Sequence, residues 1–166
     1  MRYEAKRCEK RGDMRARLEK AKKLVAAGDL ENAKALYSHM MRFEPKCVEA
    51  YLGLADVKVL DRGGKGFEEA SSLIRDAIAI APHFDQSYIE LARVYEQAQS
   101  LDKALSILKD ALTPCPMSYK LHYHLGRVLH KRGRTAQAIQ ELEKAIKIRP
   151  DFEDAGELLK LVVHSK

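Results

Sequence analysis

Residues 85–118 read DQSYIELARVYEQAQSLDKALSILKDALTPCPMS. Apolar residues recur here at helical spacing in two runs, and Pro116 closes the second. Leu91 and Tyr95 stand one helical turn apart on one face, and Leu125 and Leu129 repeat the arrangement further along. The pattern returns on both sides. Ala33, Ala70, Ala104 and Ala138 are separated by 37, 34 and 34 residues, and Pro45, Pro82, Pro116 and Pro150 give the same three spacings. A fixed period of this length predicts a stacked repeat array and outranks any local motif. One helical hairpin cannot bury its apolar face alone, so neighbouring hairpins must stack.

The individual positions say more. In 85–118 the recurring places are held by Tyr88, Leu91, Ala92, Tyr95, Ala104, Leu108, Ala111 and Pro116. The next copy carries Leu125, Gly126, Leu129, Gly133, Ala138, Leu142, Ala145 and Pro150, and the one before carries Tyr51, Leu54, Ala55, Phe67, Ala70, Ile74, Ala77 and Pro82. The first carries Ala21, Leu24, Gly28, Ala33, Tyr37 and Pro45, with Met40 where the others have Ala. This pattern resembles the tetratricopeptide repeat. The resemblance implies an all-α, right-handed superhelical solenoid of antiparallel helix pairs, with about four such repeats and a C-terminal capping helix. The expected repeats are 14–47, 48–84, 85–118 and 119–152, after a basic extension at 1–13 and before a cap at 153–166.

Composition bounds the class. At 166 residues the chain is one domain or one short array. No apolar run approaches the ~18 residues that span a membrane. The opening MRYEAKRCEKRGD has no apolar core, so it does not read as a secretory signal. Its acidic residues argue against a mitochondrial presequence. Cys8, Cys47 and Cys115 lie far apart, and an odd count suits a reducing compartment, so a cytoplasmic location is expected. The net charge of +6 belongs to one end. Residues 1–23 hold ten Lys or Arg against four Asp or Glu, while 24–166 hold twenty of each.

Several local features invite a chemical reading and are answered by structure. Asp61 to Gly66, with three extra residues, reads as a mobile turn; it lacks the spacing, preceding strand and hydroxyl of a phosphate loop. Cys115 between two prolines reads as part of a turn. His122, His124 and His130 crowd one helix, but His124 and His130 are six apart and do not stack as a metal pair would. His122 holds an aromatic place and is expected to pack on the core. On the final helix, Ala155, Leu158, Leu159 and Val162 form the inner stripe, leaving Leu161 and Val163 outside it.

The resemblance also implies that the first helices of successive repeats line a concave groove. The exposed inner column would include Leu18 with Lys22, Leu52 with Asp56, Ile89 with Arg93, and Tyr123 with Arg127. One turn away lie Glu49, Glu90, His124, His130 and Lys131, with Lys120 near the start of the last such helix. An apolar strip flanked by charge suits an extended peptide or an amphipathic helix. The middle is acidic and the far end basic, so the expected ligand has apolar anchors and places acidic residues over the fourth repeat. Family members that clamp a chaperone's C-terminal carboxylate use Lys and Asn at set positions. Here those positions hold Leu18, Lys22, Gly53, Gln86 and Glu90, or Leu52, Asp56, Glu90, Lys120 and His124, and neither set forms the clamp.

No nucleophile elbow, HExxH, CxxC or dinucleotide glycine pattern is present, so no catalytic residue, cofactor or metal is expected. The leading expectation is a non-catalytic module or scaffold that binds a segment of another protein. Self-assembly into a homo-oligomer is the first alternative. The second is a basic adaptor for nucleic acid or a membrane surface through residues 1–23, although little aromatic interleaving beyond Tyr3 supports nucleic acid.

Overall fold

The structure is a computed structural model that describes residues 12–62 and 65–164, apart from the side chain of Arg62. Nearly all of the expected basic extension, residues 1–11, therefore lies outside the described residues. Among the described residues there are nine helices: α1 (Gly12–Ala26), α2 (Leu30–Phe43), α3 (Val48–Arg62), α4 (Gly66–Ile80), α5 (Asp85–Gln97), α6 (Leu101–Ala111), α7 (Tyr119–Lys131), α8 (Thr135–Ile148) and α9 (Glu153–His164). The fold is all-α. Two compact units divide it, residues 1–82 and 83–166.

Turn chemistry sets the helix ends. Gly28 follows α1 at φ +79°, and Gly133 follows α7 at φ +77°. This left-handed region is free of steric cost for glycine. The Asp29 carboxylate then accepts from the Asn32 backbone N–H at 3.3 Å and caps α2. Ser118 does the same for α7, accepting from Leu121 N–H at 3.2 Å. Gln99 stands one 34-residue period before Gly133 and takes the same conformation, φ 56°, without being glycine.

In the first unit α1 packs on α2, α2 on α3 and α3 on α4, and the first helices α1 and α3 also touch. Met14, Leu18 and Ala21 on α1 meet Ala33, Tyr37 and Met40 on α2, and Ala50, Leu54 and Val57 on α3 join the same core. Two glycines permit this approach. A Cβ on Gly53 would overlap the Tyr37 ring and lie 2.8 Å from its hydroxyl. A Cβ on Gly66 would overlap the Lys58 carbonyl oxygen and lie 2.7 Å from its carbon. The expected mobile turn at 61–66 is thus corrected at both ends. Asp61 and Arg62 extend α3, and buried Gly66 opens α4 against the α3 backbone. Lys58 reaches across to pair with Glu69.

In the second unit α5 packs on α6, α6 on α7, α7 on α8 and α8 on α9, while α5 meets α7 and α7 meets α9. Leu91, Leu108, Leu121, Leu129 and Leu142 are fully buried. Gly126 lets α8 approach, since a Cβ there would lie 2.8 Å from Leu142 Cγ and 3.1 Å from the Ala138 carbonyl oxygen. On α9, Ala155 and Val162 are buried, while Leu161 and Val163 are exposed. His122 is buried, with Nδ1 2.7 Å from Glu141 Oε2. Burial alone would raise the Glu141 pKa, but hydrogen bonds from Lys144 and His122 outweigh it and hold the carboxyl below its ordinary value.

No helix among the described residues is long and apolar enough to cross a membrane. Cys47 is disulfide-bonded, which removes the odd-cysteine argument for a reducing compartment. Cys115 is not disulfide-bonded, and burial and then Asp85 push its pKa up, so its reactive thiolate is disfavoured.

Candidate functional site

The residues expected to line a groove are best taken unit by unit. In the first unit, Leu18 is buried at 3% exposure and belongs to the α1–α3 core. Its register explains the correction: Leu18 lies four residues after Met14 and three before Ala21, so it shares their inward stripe. Leu52 is half-buried. Lys22 is exposed and donates to Glu19 at 3.0 Å. Glu49 is half-buried, with Oε2 lacking a hydrogen-bond partner. Asp56 faces the Tyr37 phenol, whose pKa is pushed up to about 12 by burial first and then by Asp56 and Glu19.

In the second unit Ile89 is also buried, at 5%. α5 has neighbours in α6 and α7 and buries Tyr88, Ile89, Leu91, Ala92 and Val94, which together cover more than one helix face. Two of the four expected apolar anchors, Leu18 and Ile89, are therefore core residues. Tyr123 is half-buried, and its ring meets Phe152 edge-on at 5.2 Å and His124 at 5.1 Å.

The polar residues of α5 and α7 come together. On α7, Lys120, His124, Arg127 and Lys131 fall at i, i+4, i+7 and i+11, which is one helix face. On α5, Gln86, Glu90 and Arg93 occupy the positions one period earlier. Glu90 accepts from Gln86 at 2.8 Å and from Arg93 at 2.7 Å. The expected free basic end is partly neutralised within the fold. Arg127 Nη2 and Lys131 Nζ both donate to Glu96, at 2.6 and 2.7 Å, and that carboxylate is only 8% exposed. Sequence reading passed over Glu96, although it precedes these cations by 31 and 35 residues, close to one repeat period.

Three cations on this face are paired, Arg93 with Glu90 and both Arg127 and Lys131 with Glu96. Lys120 makes no hydrogen bond or ion pair among the described residues, and neither does His124. Nδ1 of His124, Nδ1 of His130 and Nε of Arg127 are buried without partners. Burial lowers the His124 pKa to about 4, Arg127 and Lys120 assist, and Glu96 and Glu90 oppose them. At neutral pH its imidazole is therefore uncharged. No group of three or more His, Cys, Asp or Glu among the described residues is placed to hold a metal ion.

Comparison with known proteins agrees with this architecture. The family model for the TPR repeat matches residues 126–159, which run from Gly126 of α7 into α9. The crystal structure of TTC0263, a thermophilic TPR protein of Thermus thermophilus, superposes with a TM-score of 0.75 at 21% identity, covering 89% of this chain and 80% of that one. Two curated relatives are similar over parts of the chain. Protein O-mannosyl-transferase F38B6.6 of Caenorhabditis elegans is 34% identical over 63 residues, covering 38% of this chain and 9% of that protein. Protein O-mannosyl-transferase TMTC1 of Mus musculus is 27% identical over 140 residues, covering 81% of this chain and 14% of that protein. The chain thus matches only a small part of either relative. Its fold is that of tetratricopeptide-repeat proteins.

Proposed function

We propose that this tetratricopeptide-repeat chain is a non-catalytic protein-interaction module, and that the α5–α7 face of its second unit takes an acidic segment of a partner. The observation that carries this reading is Lys120, uncommitted beside a neutral His124 on the helix face that also carries Arg127 and Lys131. Anionic side chains complement such a face and are steered to it. Tyr123, half-buried at the same level, offers the apolar contact. The transferase activity in the curated relatives' names belongs to proteins of which this chain matches 9% and 14%. For this chain we propose binding alone, within a larger assembly.

Lys120→Glu combined with Tyr123→Ala tests the assignment against an immobilised octa-aspartate peptide. These substitutions leave the Glu96 pairs intact, whereas reversing Arg127 or Lys131 would place like charges against a buried carboxylate. Weakened capture is expected, and unchanged capture removes the face from the reading.

A second reading, self-association, is favoured by Leu161 and Val163 at the end of α9, which are 57% and 47% exposed. Light scattering across a wide concentration range decides it, because a constant monomer mass excludes it. The cytoplasmic setting expected from the sequence is tested by fractionation of the native protein.

A further inference from the structure

We infer that capture of an acidic side chain by the α5–α7 face is coupled to uptake of a proton at His124, so that this face binds acidic segments more tightly as pH falls. The inference rests on the interaction reading above and adds a regulatory property to it.

The geometry comes first. Lys120, His124 and Arg127 share one edge of α7. Arg127 is held by Glu96, whereas Lys120 and His124 are not engaged in any hydrogen bond among the described residues. A carboxylate drawn to Lys120 would arrive one helical turn from His124 and two from Arg127, where the imidazole can offer it a hydrogen bond. Only the protonated ring has both nitrogens as donors.

The surroundings then set the protonation state. From α5, Glu90 and Glu96 act on the ring; from α7 itself, Arg127 and Lys120 do, and the Tyr123 ring stacks edge-on against it. Burial and the two cations outweigh the two carboxylates, so the free protein holds the ring neutral down to about pH 4. An incoming carboxylate acts in the same sense as Glu90 and Glu96 and favours the charged ring. By linkage, a ligand that raises a group's proton affinity binds more tightly once that proton is available.

The experiment uses the full chain and an octa-aspartate peptide at constant ionic strength, with affinity measured by calorimetry at pH 8 and pH 5.5. The peptide remains ionised at both values. If binding restores an ordinary histidine pKa, affinity rises about tenfold at the lower pH. In His124→Gln the ratio of the two affinities should fall to about one. A second readout is the NMR titration of the His124 ring, whose midpoint should move up from about 4 when the peptide is present.

The outcomes separate the two claims. No peptide binding at either pH overturns the acidic-segment reading and the inference with it. Binding with the same affinity at both pH values, or a tenfold ratio that survives in His124→Gln, overturns the proton coupling and leaves the interaction reading standing. A ring midpoint that does not move on binding also overturns the coupling.

Discussion

Gly66→Ala should destabilise the first unit through one backbone contact. Gly66 is buried at the start of α4, and a Cβ there would lie 2.7 Å from the Lys58 carbonyl carbon and 3.3 Å from Val59 Cα, besides overlapping the carbonyl oxygen. Ordinary carbon–carbon contact is about 3.5–4.0 Å, so α3 and α4 must separate by roughly 1 Å. The atoms in the way are backbone, and no side-chain rotation relieves them. A gap of this size forfeits about a quarter to a half of the dispersion attraction at the lining atoms. Overpacking of this kind costs about 1–3 kcal/mol, against at most about 1 kcal/mol from alanine's better helix propensity. A net loss of about 1–2 kcal/mol is expected, or roughly 2–8 °C in Tm for a chain of this length. Urea unfolding followed by circular dichroism measures the loss. Hydrogen exchange of α3 and α4 peptides locates it, since repeat arrays can open locally. Gly156→Ala is the control: a Cβ there meets nothing within 4 Å in the first turn of α9, so a gain of about 0.5–1 kcal/mol is expected. A Gly66→Ala protein within about 0.5 kcal/mol of wild type, with unchanged exchange in both helices, would refute the close-approach argument.

Gln99→Gly should stabilise the second unit by up to about 1 kcal/mol, because φ 56° strains a residue with a Cβ and suits glycine; no gain in urea midpoint counts against strain at this turn. Acid should destabilise the protein through His124. With a folded pKa of about 4 against an ordinary 6.5, the unfolded chain binds the extra proton between these values, so this contribution to stability is complete above pH 6.5 and is lost as pH falls toward 4. The shift corresponds to an upper bound on the order of 3 kcal/mol, reduced by solvent screening of a partly exposed ring. Urea midpoints across this range should fall less steeply in His124→Gln, and parallel curves for the two proteins would remove the effect.

Much of this architecture is legible in residue types. The alanines and prolines that repeat at 37, 34 and 34 residues identify the helix pairs, and the stripe Ala155, Leu158, Leu159, Val162 identifies α9. The site was less legible, because period alone does not decide which side of a helix faces a neighbour. Leu18 and Ile89 are buried although their repeat position suggests an open column, since each helix packs in its own local register. Gly66 looks like turn chemistry in the sequence, yet its place is set by the Lys58 carbonyl, which is near in space and distant in pattern.

Glu96 shows how a repeat array hides polar partners and how they can be found. Its bonds to Arg127 and Lys131 span 31 and 35 residues, the Ser118–Asp85 bond spans 33, and the Arg132–Asp102 pair spans 30. Arg149 reaches Tyr119 across 30 residues, and His83 donates from Nδ1 to the Pro114 carbonyl across 31. All six lie within a helical turn or so of the 34-residue period. Stacking within the second unit explains this: a residue's neighbour there is its counterpart in the next repeat, displaced along the helix by the reach of a side chain. Helical periodicity examines separations of three and four, so it finds Lys22–Glu19 and Glu90–Arg93 but cannot see Glu96. A search for opposite charges one period apart would have found it. Applied to Lys120, the same separations of 30–35 residues reach Asp85 and Glu90, but Asp85 accepts from Ser118 and Glu90 from Gln86 and Arg93. Lys120 therefore lacks a countercharge because the carboxylates within its reach along the repeat are bonded within the fold, and it is the position where a partner's carboxylate has the most to gain.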